Sequence, residues 1–219
     1  MDEPTSVDNL NSSLTDLMTS LMVIFILLLL VFVHRTAGKD AAVTDVLLRR
    51  LLADMKPHGF NEQTIRHDPR DRNAILVIVP DRLMNFETSK STLRPEGERF
   101  LKEYIPEFAG VLCSEQFRSS IESIVVEGHT DIHPWVNQSA EESQNSNLKL
   151  SQDRSMEVVK SALSDLTGME PRRSCFLEKL SATGRGEQEQ EATPEESRRV
   201  ILKIRVKVVE AESVKVAVQ

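Results

Sequence analysis

A single carboxylate, Asp16, lies near the start of a long apolar run, and two hydroxyl side chains follow it at helical spacing. Thr19 and Ser20 are three and four residues further on, so a helix would place all three side chains on one face. A carboxylate at membrane depth costs at least about 2.5 kcal/mol and is usually paired, protonated or part of an ion path. The hydroxyls can hydrogen-bond it, relay a proton, ligate a small cation or bond backbone carbonyls. In the alternative interpretation, Asp16 only flanks the helix and interacts with its dipole.

The apolar run predicts a transmembrane helix over residues 14–35. Leu14–Val33 has the length of about 20 apolar residues that a bilayer core of roughly 30 Å requires. A secretory signal peptide fits poorly, because residues 1–20 contain no Lys or Arg and no small-residue cleavage site follows the run. The segment therefore reads as a retained anchor. The acidic tail at 1–13 and the basic residues after the span would by themselves place the C-terminal part in the cytoplasm.

Composition restricts the function of the remaining chain. The 219 residues, 40% hydrophobic and 28% charged, leave room for one globular domain and a connector after the span. A net charge of -7, with 8 Phe, 1 Tyr and 1 Trp, argues against a nucleic-acid partner. Five His and two Cys show neither metal-ligand spacing nor a nucleophile constellation. We therefore expect neither an enzyme nor a bound metal or cofactor.

A connector at 36–73 separates the span from the domain and begins with an amphipathic helix. Val43, Val46, Leu47, Leu51 and Met55 recur at helical spacing, and a Pro and a Gly follow them. The two arginines at 49–50 are typical of a solvated helix face. Alternatively, this helix rests on the membrane surface or plugs a partner's pore.

Residues 74–209 predict an α/β domain with helices on one face of a mixed sheet, and 210–219 form a tail. The predicted order is βαβαββ: strand 75–79, helix 95–109, strand 123–127, helix 150–166, strand 177–183 and strand 200–209. In the second helix we expect Met156, Val159 and Leu163 to face inward. The last strand alternates apolar and basic residues, so it is half exposed.

Cys113 and Cys175 are the only cysteines, and they precede the second and third predicted strands. In βαβ order these two strands are expected to be parallel neighbours, so that their starts lie at one end of the sheet. A disulfide is then geometrically possible, and an oxidising compartment would permit it. Two buried free thiols are the alternative.

Six short motifs carry a resemblance to a known family. They are FETS (86–89), LRPEG (93–97), EGHTD (127–131), NLKLSQDR (147–154), GRG (184–186) and RRV (198–200). Together, in this order and spacing, they resemble the OmpA-like peptidoglycan-binding domain, and the match extends over residues 70–209. EGHTD alone would be a weak signal.

This resemblance implies that Asp131 and Arg154 grip the amine and the carboxylate of diaminopimelate in a wall peptide, with Asn147 and Leu150 in the same groove. The chemistry agrees, because Arg binds a carboxylate through a bidentate fork. Without the flanking motifs, a capping Asp and an Arg on a solvated helix face would explain the same residues. The polar insert at 132–146, which holds the only Trp, departs from the family pattern and could cover or reshape the groove.

The span and the domain together resemble the MotB family of flagellar stator subunits, in which an aspartate at this point of the span carries the ion. Within that family, the acidic Lys-free tail and short connector are most similar to the stator-like subunits of Zorya anti-phage defence systems. The resemblance implies that Asp16, with Thr19 and Ser20, carries H⁺ or Na⁺, with H⁺ favoured. A flagellar subunit and a passive tether between membrane and peptidoglycan are the alternatives.

The same resemblance implies partners and an orientation. Two copies of the chain would form a homodimer inside a ring of five copies of a multi-span membrane protein resembling ZorA. The chain would be a single-pass protein of the bacterial inner membrane, with its N-terminus cytoplasmic and the peptidoglycan-binding domain periplasmic. This orientation opposes the charge bias around the span.

Overall fold

The computed structural model describes residues 6–207, and it describes side chains at 14–33 and 43–207. The predicted tail at 210–219 and the first five residues of the tail at 1–13 lie outside the described residues. The chain divides into two units between Asp40 and Ala41.

The first unit contains the apolar part of helix α1 (Ser6–Met55). Leu14–Val33 is a 20-residue stretch with a mean hydropathy of 2.7, and it is the one helical stretch of the described chain that is long and apolar enough to cross a membrane. Its large apolar side chains are 42% to 67% exposed. A helix with this composition and exposure is suited to a lipid environment.

The second unit is built on a five-stranded mixed sheet with the order β1-β2-β5-β3-β4. The strands are β1 (Ile65–Asp68), β2 (Asp71–Pro80), β3 (Ile121–His129), β4 (Leu180–Gly186) and β5 (Arg199–Val206). β3 and β4 pair in parallel, as predicted, and the other pairs are antiparallel. The helices are the end of α1, a 3₁₀ turn (Lys56–His58), α2 (Asp81–Met84), α3 (Pro95–Leu112), α4 (Ala140–Asp165), α5 (Arg172–Lys179) and α6 (Pro194–Ser197).

Several elements differ from the prediction, and the short helices α2 and α6 are absent from the predicted βαβαββ order. β1 lies inside the predicted connector at 36–73, where a four-residue strand with mixed burial gives almost no periodic signal. Arg172–Lys179 is a helix, so the third predicted strand begins at 180 and not at 177. α4 begins at Ala140 and not at 150, because Ser139 and Glu142 form a capping box ahead of its polar first turns.

The core lies between the helices and the sheet face formed by alternate residues of the central strands. Ile124 and Val126 on β3, like Leu202 and Ile204 on β5, are at most 1% exposed. From α1, three residues of the predicted apolar stripe, Leu47, Leu51 and Met55, are fully buried. Val46, from the same stripe, is 39% exposed, and Met156, which was predicted to face inward, is 41% exposed. The other two predicted residues, Val159 and Leu163, are partly buried against the core, and α4 buries Val158 and Ala162 more fully.

A disulfide joins Cys113, at the end of α3, to Cys175 on α5. The Cα atoms are 6.0 Å apart, and 62 residues separate the cysteines in sequence. Beside it, Phe108 of α3 packs edge-on against Phe176 of α5, with 6.2 Å between the ring centroids. The short helix α5 is thus fixed to α3 by both a covalent bond and an aromatic contact.

Candidate functional site

Two glycines allow α4 to lie directly on the ends of β3 and β4. A Cβ atom at Gly128 would lie 2.1 Å from the Ser151 carbonyl oxygen, and one at Gly184 would lie 2.6 Å from the Gln152 nitrogen. In the space that the glycines leave, Gly186 N donates to Ser151 Oγ at 2.8 Å, and Gly184 N donates to Gln152 Oε1 at 2.6 Å. The motifs at 127–131, 147–154 and 184–186 therefore pack against one another where α4 crosses the ends of β3 and β4.

The four predicted wall-binding residues, Asp131, Asn147, Leu150 and Arg154, all line one cavity of about 590 Å³, here called the groove. Asp131 follows β3, while the other three lie on α4 at positions that share one face of the helix. Several further residues line the groove, and of these the sequence had implicated only Trp135, through the insert. Those with chemical importance are Asp81, Phe86, Trp135 and Arg198.

Arg154 is held at one edge and presents its other edge to the groove. Its side chain is 5% exposed, its Nε donates to the Lys90 carbonyl at 3.0 Å, and its guanidinium lies 4.9 Å from the centre of the Phe86 ring. Burial lowers the pKa of Arg154, and the nearby Asp81 opposes this shift. Within the described residues, Nη1 and Nη2 have neither a hydrogen bond nor an ion pair. Arg154 thus offers a fixed pair of donors that matches a carboxylate.

Asp131 already has partners in the chain. Its Oδ2 accepts a hydrogen bond from Arg198 Nη1 at 2.5 Å, and its Oδ1 accepts one from the His133 backbone N–H at 3.1 Å. Burial by itself would raise the pKa of Asp131, but these bonds bring it below its ordinary value. Asp131 is therefore an anion at neutral pH. A ligand amine would have to share this carboxylate with Arg198.

Arg198 is the site residue to which sequence reasoning assigned no role, although it belongs to the quoted motif at 198–200. Besides Asp131, its Nη2 contacts Glu195 Oε1 at 3.2 Å, and its Nε lies 3.8 Å from Asp81 Oδ2. Burial and the negative charge of Asp131 raise the pKa of Asp81, against the effect of the two arginines. The charged end of the groove thus holds two arginines and two aspartates. A zwitterion can exchange partners there without leaving a buried net charge.

The insert at 132–146 forms a side of the groove. Trp135 donates from its backbone N–H to Ser143 Oγ at 2.9 Å, and from its indole Nε1 to Asn147 Oδ1 at 2.7 Å. Asn147 Nδ2 in turn donates to Glu187 Oε2 at 3.4 Å. Because residues 140–146 are the first turns of α4, the insert is anchored to the same helix that carries Arg154.

The acidic loop at 188–196 is bound to the sheet by arginines. Arg70 pairs with Glu189, and Arg199 Nη2 lies 3.4 Å from Glu191 Oε1. The Arg198–Glu195 contact brings the same loop to the charged end of the groove. The loop therefore neutralises three arginines, of which Arg198 lines the groove.

The predicted ion-carrying residues lie in the first unit, on the exposed apolar helix. Asp16, Thr19 and Ser20 are all exposed and follow one another at positions i, i+3 and i+4. Thr19 Oγ1 donates to the Thr15 carbonyl at 2.7 Å, which is the backbone alternative that the sequence left open. The hydroxyl oxygen keeps its acceptor capacity in this arrangement.

Comparison with solved structures identifies the fold. The chain resembles a MotB-like protein from Desulfovibrio vulgaris with 20% identity and a TM-score of 0.55, over 78% of this chain and 98% of that chain. It also resembles the periplasmic domain of Helicobacter pylori MotB, with 15% identity over 65% of this chain and 81% of that chain (TM-score 0.48). A third similar structure is the cell wall anchor of the T6SS from Pseudomonas aeruginosa, with 23% identity over 73% and 97% of the two chains (TM-score 0.46).

The chain has a MotB-like fold. The predicted fold class, an apolar helix followed by an OmpA-like α/β domain, is thereby confirmed. No protein-family model and no curated protein matches the sequence. The roles of the individual groove and span residues remain predictions that rest on the geometry described above.

Proposed function

We propose that this protein anchors a membrane complex to peptidoglycan and acts there as a stator-like subunit. The groove is the observation that carries the proposal. Arg154 presents two unpaired donor groups beside Asp81, Asp131 and Arg198, so that two arginines face two aspartates, and such a site suits a zwitterionic amino-acid end. Diaminopimelate in a wall peptide provides that end, with an amine for the aspartates and a carboxylate for Arg154.

Peptidoglycan binding sets the proposed location. Leu14–Val33 anchors the chain in the bacterial inner membrane as a single pass, the domain is periplasmic and the N-terminus is cytoplasmic. The charge bias around the span favours the opposite orientation. We give the groove more weight, because a wall-binding domain has its ligand only in the periplasm.

In the span, we propose that Asp16 carries an ion, with Thr19 and Ser20 on the same helix face. A passive tether has no use for a carboxylate in this apolar stretch, whereas an ion path needs a group that alternates between charged and neutral forms. We favour H⁺ over Na⁺. A sodium path would instead keep Asp16 ionised and use the hydroxyl oxygens as ligands.

The finer assignment is to ZorB, the stator-like subunit of the Zorya anti-phage system. It is supported by the acidic Lys-free tail and the short connector of the sequence. In this proposal two copies of the chain sit within a ring of five ZorA-like multi-span subunits. A flagellar MotB-type subunit is the second candidate, and the two differ in whether loss of the gene removes phage protection or swimming.

Co-sedimentation of the full chain, solubilised in detergent, with purified sacculi tests the anchoring function. The wild type is expected to pellet, and free meso-diaminopimelate is expected to release it. Asp131→Asn removes the negative charge of Asp131, which is proposed to bind the ligand amine, and should prevent pelleting. Asp153→Asn is the matched control, since Asp153 lies on α4 outside the groove and is 46% exposed. Equal pelleting of Asp131→Asn and the wild type would contradict the proposed site.

A further inference from the structure

Trp135 is bonded to the same face of α4 that carries Arg154, but further from the charged end of the groove. Its indole Nε1 donates to Asn147 Oδ1 at 2.7 Å, and Asn147 precedes Arg154 by seven residues on α4. Seven residues are almost two helical turns, so both side chains share one face, with about 10 Å of helix rise between them. The indole and the guanidinium therefore mark two positions along one groove.

The indole is also fixed in place. In addition to the Asn147 bond, the backbone N–H of Trp135 donates to Ser143 Oγ at 2.9 Å, and its carbonyl accepts from Gln138 N at 3.3 Å. The Ser139 capping box then fixes the start of α4 directly after this segment. A ring that is ordered before binding loses little conformational entropy when a ligand packs on it.

The chemistry of the groove changes between these two positions. Arg154 shares its end of the groove with Asp81, Asp131 and Arg198, whereas both chain neighbours of Trp135 in the lining, Pro134 and Val136, are apolar, and Val136 is 87% exposed. Ile132, in the same segment, is 62% exposed. Large apolar side chains held at such exposure beside a polar cavity are typical of a surface that receives a ligand.

A single amino acid at the charged end would be too short to reach Trp135. An extended peptide advances about 3.3 Å per residue, so the first and third residues of a tripeptide are two steps, or about 7 Å, apart. In a wall peptide the γ-linked glutamyl residue and the diaminopimelate side chain, which carries the zwitterionic end, add further length, so the segment can extend from Arg154 to Trp135. We propose that Trp135 and Val136 form a second subsite, which receives the small uncharged residue of a three-residue wall peptide whose zwitterionic residue lies at Arg154. This inference rests on the proposed peptidoglycan binding and adds a second contact for the wall peptide, at Trp135 and Val136 of the insert.

The test compares two ligands on the full chain in detergent: meso-diaminopimelate and L-alanyl-γ-D-glutamyl-meso-diaminopimelate. Calorimetry gives both dissociation constants, and the single Trp of the chain provides an independent fluorescence signal. For the wild type we expect the tripeptide to bind roughly tenfold more tightly than the amino acid, the size of one good aromatic contact. The tripeptide should also shift the Trp emission more than the amino acid does.

Trp135→Ala should reduce the ratio of the two dissociation constants from about ten to about one, while Trp135→Phe, which keeps a ring, should retain most of it. Val136→Asp should also reduce the ratio of the two dissociation constants. Because Val136 is exposed, this change removes no packed side chain, and the variant replaces Trp135→Ala in the test if Trp135→Ala does not fold. Met156→Ala changes an exposed apolar residue of α4 outside the groove and should keep the ratio of about ten.

The outcomes separate this inference from the function on which it rests. If the wild type binds neither ligand, the proposed wall binding fails and the second subsite fails with it. If it binds both ligands equally, or if Trp135→Ala and Val136→Asp keep the wild-type ratio, the second subsite is wrong while peptidoglycan anchoring stands.

Discussion

Replacement of Arg154 is the most direct perturbation of the groove. Arg154→Ala removes the two Nη donors that face the cavity, the Nε bond to Lys90 and the stacking on Phe86. Arg154→Lys keeps a positive charge but replaces the planar fork with a point charge. Comparison of the two variants separates the contribution of charge from that of bidentate geometry.

The expected magnitude follows from these contacts. Loss of one partner of a buried charged pair typically costs about 2 to 5 kcal/mol of binding free energy, or roughly 30-fold to more than 1,000-fold in affinity. Arg154→Ala should therefore abolish detectable binding to sacculi if the wild-type affinity is micromolar. Arg154→Lys should lie at the low end of the range, because the ammonium still attracts the ligand carboxylate.

The fold should tolerate both changes. Removal of Arg154 takes one cation away from Asp81, whose pKa burial already raises, so this carboxyl can become neutral and avoid a buried unpaired charge. Binding is measured by co-sedimentation with sacculi and by calorimetry with meso-diaminopimelate, after circular dichroism has verified folding. Lys160→Ala, which removes an exposed cation of α4 outside the groove, is the control. Wild-type affinity of a folded Arg154→Ala variant would refute the assignment of the groove.

Four further predictions concern other parts of the chain. Asp16→Asn should leave expression and membrane insertion intact but eliminate activity, measured as phage protection in cells, because an amide cannot alternate in charge. Gly128→Ala should lower the free energy of unfolding by about 1 to 3 kcal/mol, measured in urea, because its Cβ would meet the Ser151 carbonyl at 2.1 Å. Reduction of the Cys113–Cys175 disulfide should cost about 2 to 4 kcal/mol in the same assay, and mass analysis without reductant should find no free thiol. Stabilisation by the Asp131–Arg198 pair should be present at neutral pH and be lost as pH falls below about 4, because the pKa of Asp131 is lower in the folded state than in the unfolded state. Thermal unfolding of the wild type and of Asp131→Asn at several pH values checks this.

These predictions have controls and contrary outcomes of their own. Gly110→Ala should be neutral or slightly stabilising, because a Cβ there lies 3.4 Å from the Arg172 side chain and Ala favours a helix. Equal effects of the two glycine changes would show that the close approach of α4 to β3 is not required. Wild-type phage protection by a normally expressed Asp16→Asn variant would refute the ion-carrying role. Free thiols on both cysteines would contradict the disulfide, and a constant stability difference from pH 7 to pH 3 would contradict the charge pair.

The sequence predicted those elements whose burial is periodic. β3 and the second half of β5 alternate between more and less buried residues, and α3 buries Leu101, Tyr104 and Phe108 on one side. β1 escaped prediction because a short strand with the burial pattern of an edge has only Ile65 as a buried apolar residue. The spacing of apolar residues along a sequence follows from which residues are buried, so an element that buries few residues gives no periodic pattern to predict it from.

The early start of α4 and the role of Arg198 were missed for different reasons. Residues 140–146 are almost entirely polar and exposed, so the only local signal was Ser139 with Glu142 three residues later. Arg198 reaches the groove because β5 lies between β2 and β3, which places it beside Asp131, 67 residues earlier in the chain. This strand order is a property of the whole sheet, and no local pattern contains it.

The bonds around α4 also suit a groove that must resist pulling. An anchor loses its function when the ligand-bearing element detaches from the fold, even if the ligand stays bound. Ser151 and Gln152 accept hydrogen bonds from the backbone of β4 within one turn of Arg154, so load on the guanidinium passes directly to the sheet. A groove on a mobile loop would open before it transmitted such load. The close glycine contacts that position the proposed ligand-binding residues are therefore the same contacts that the proposed anchor would require under load.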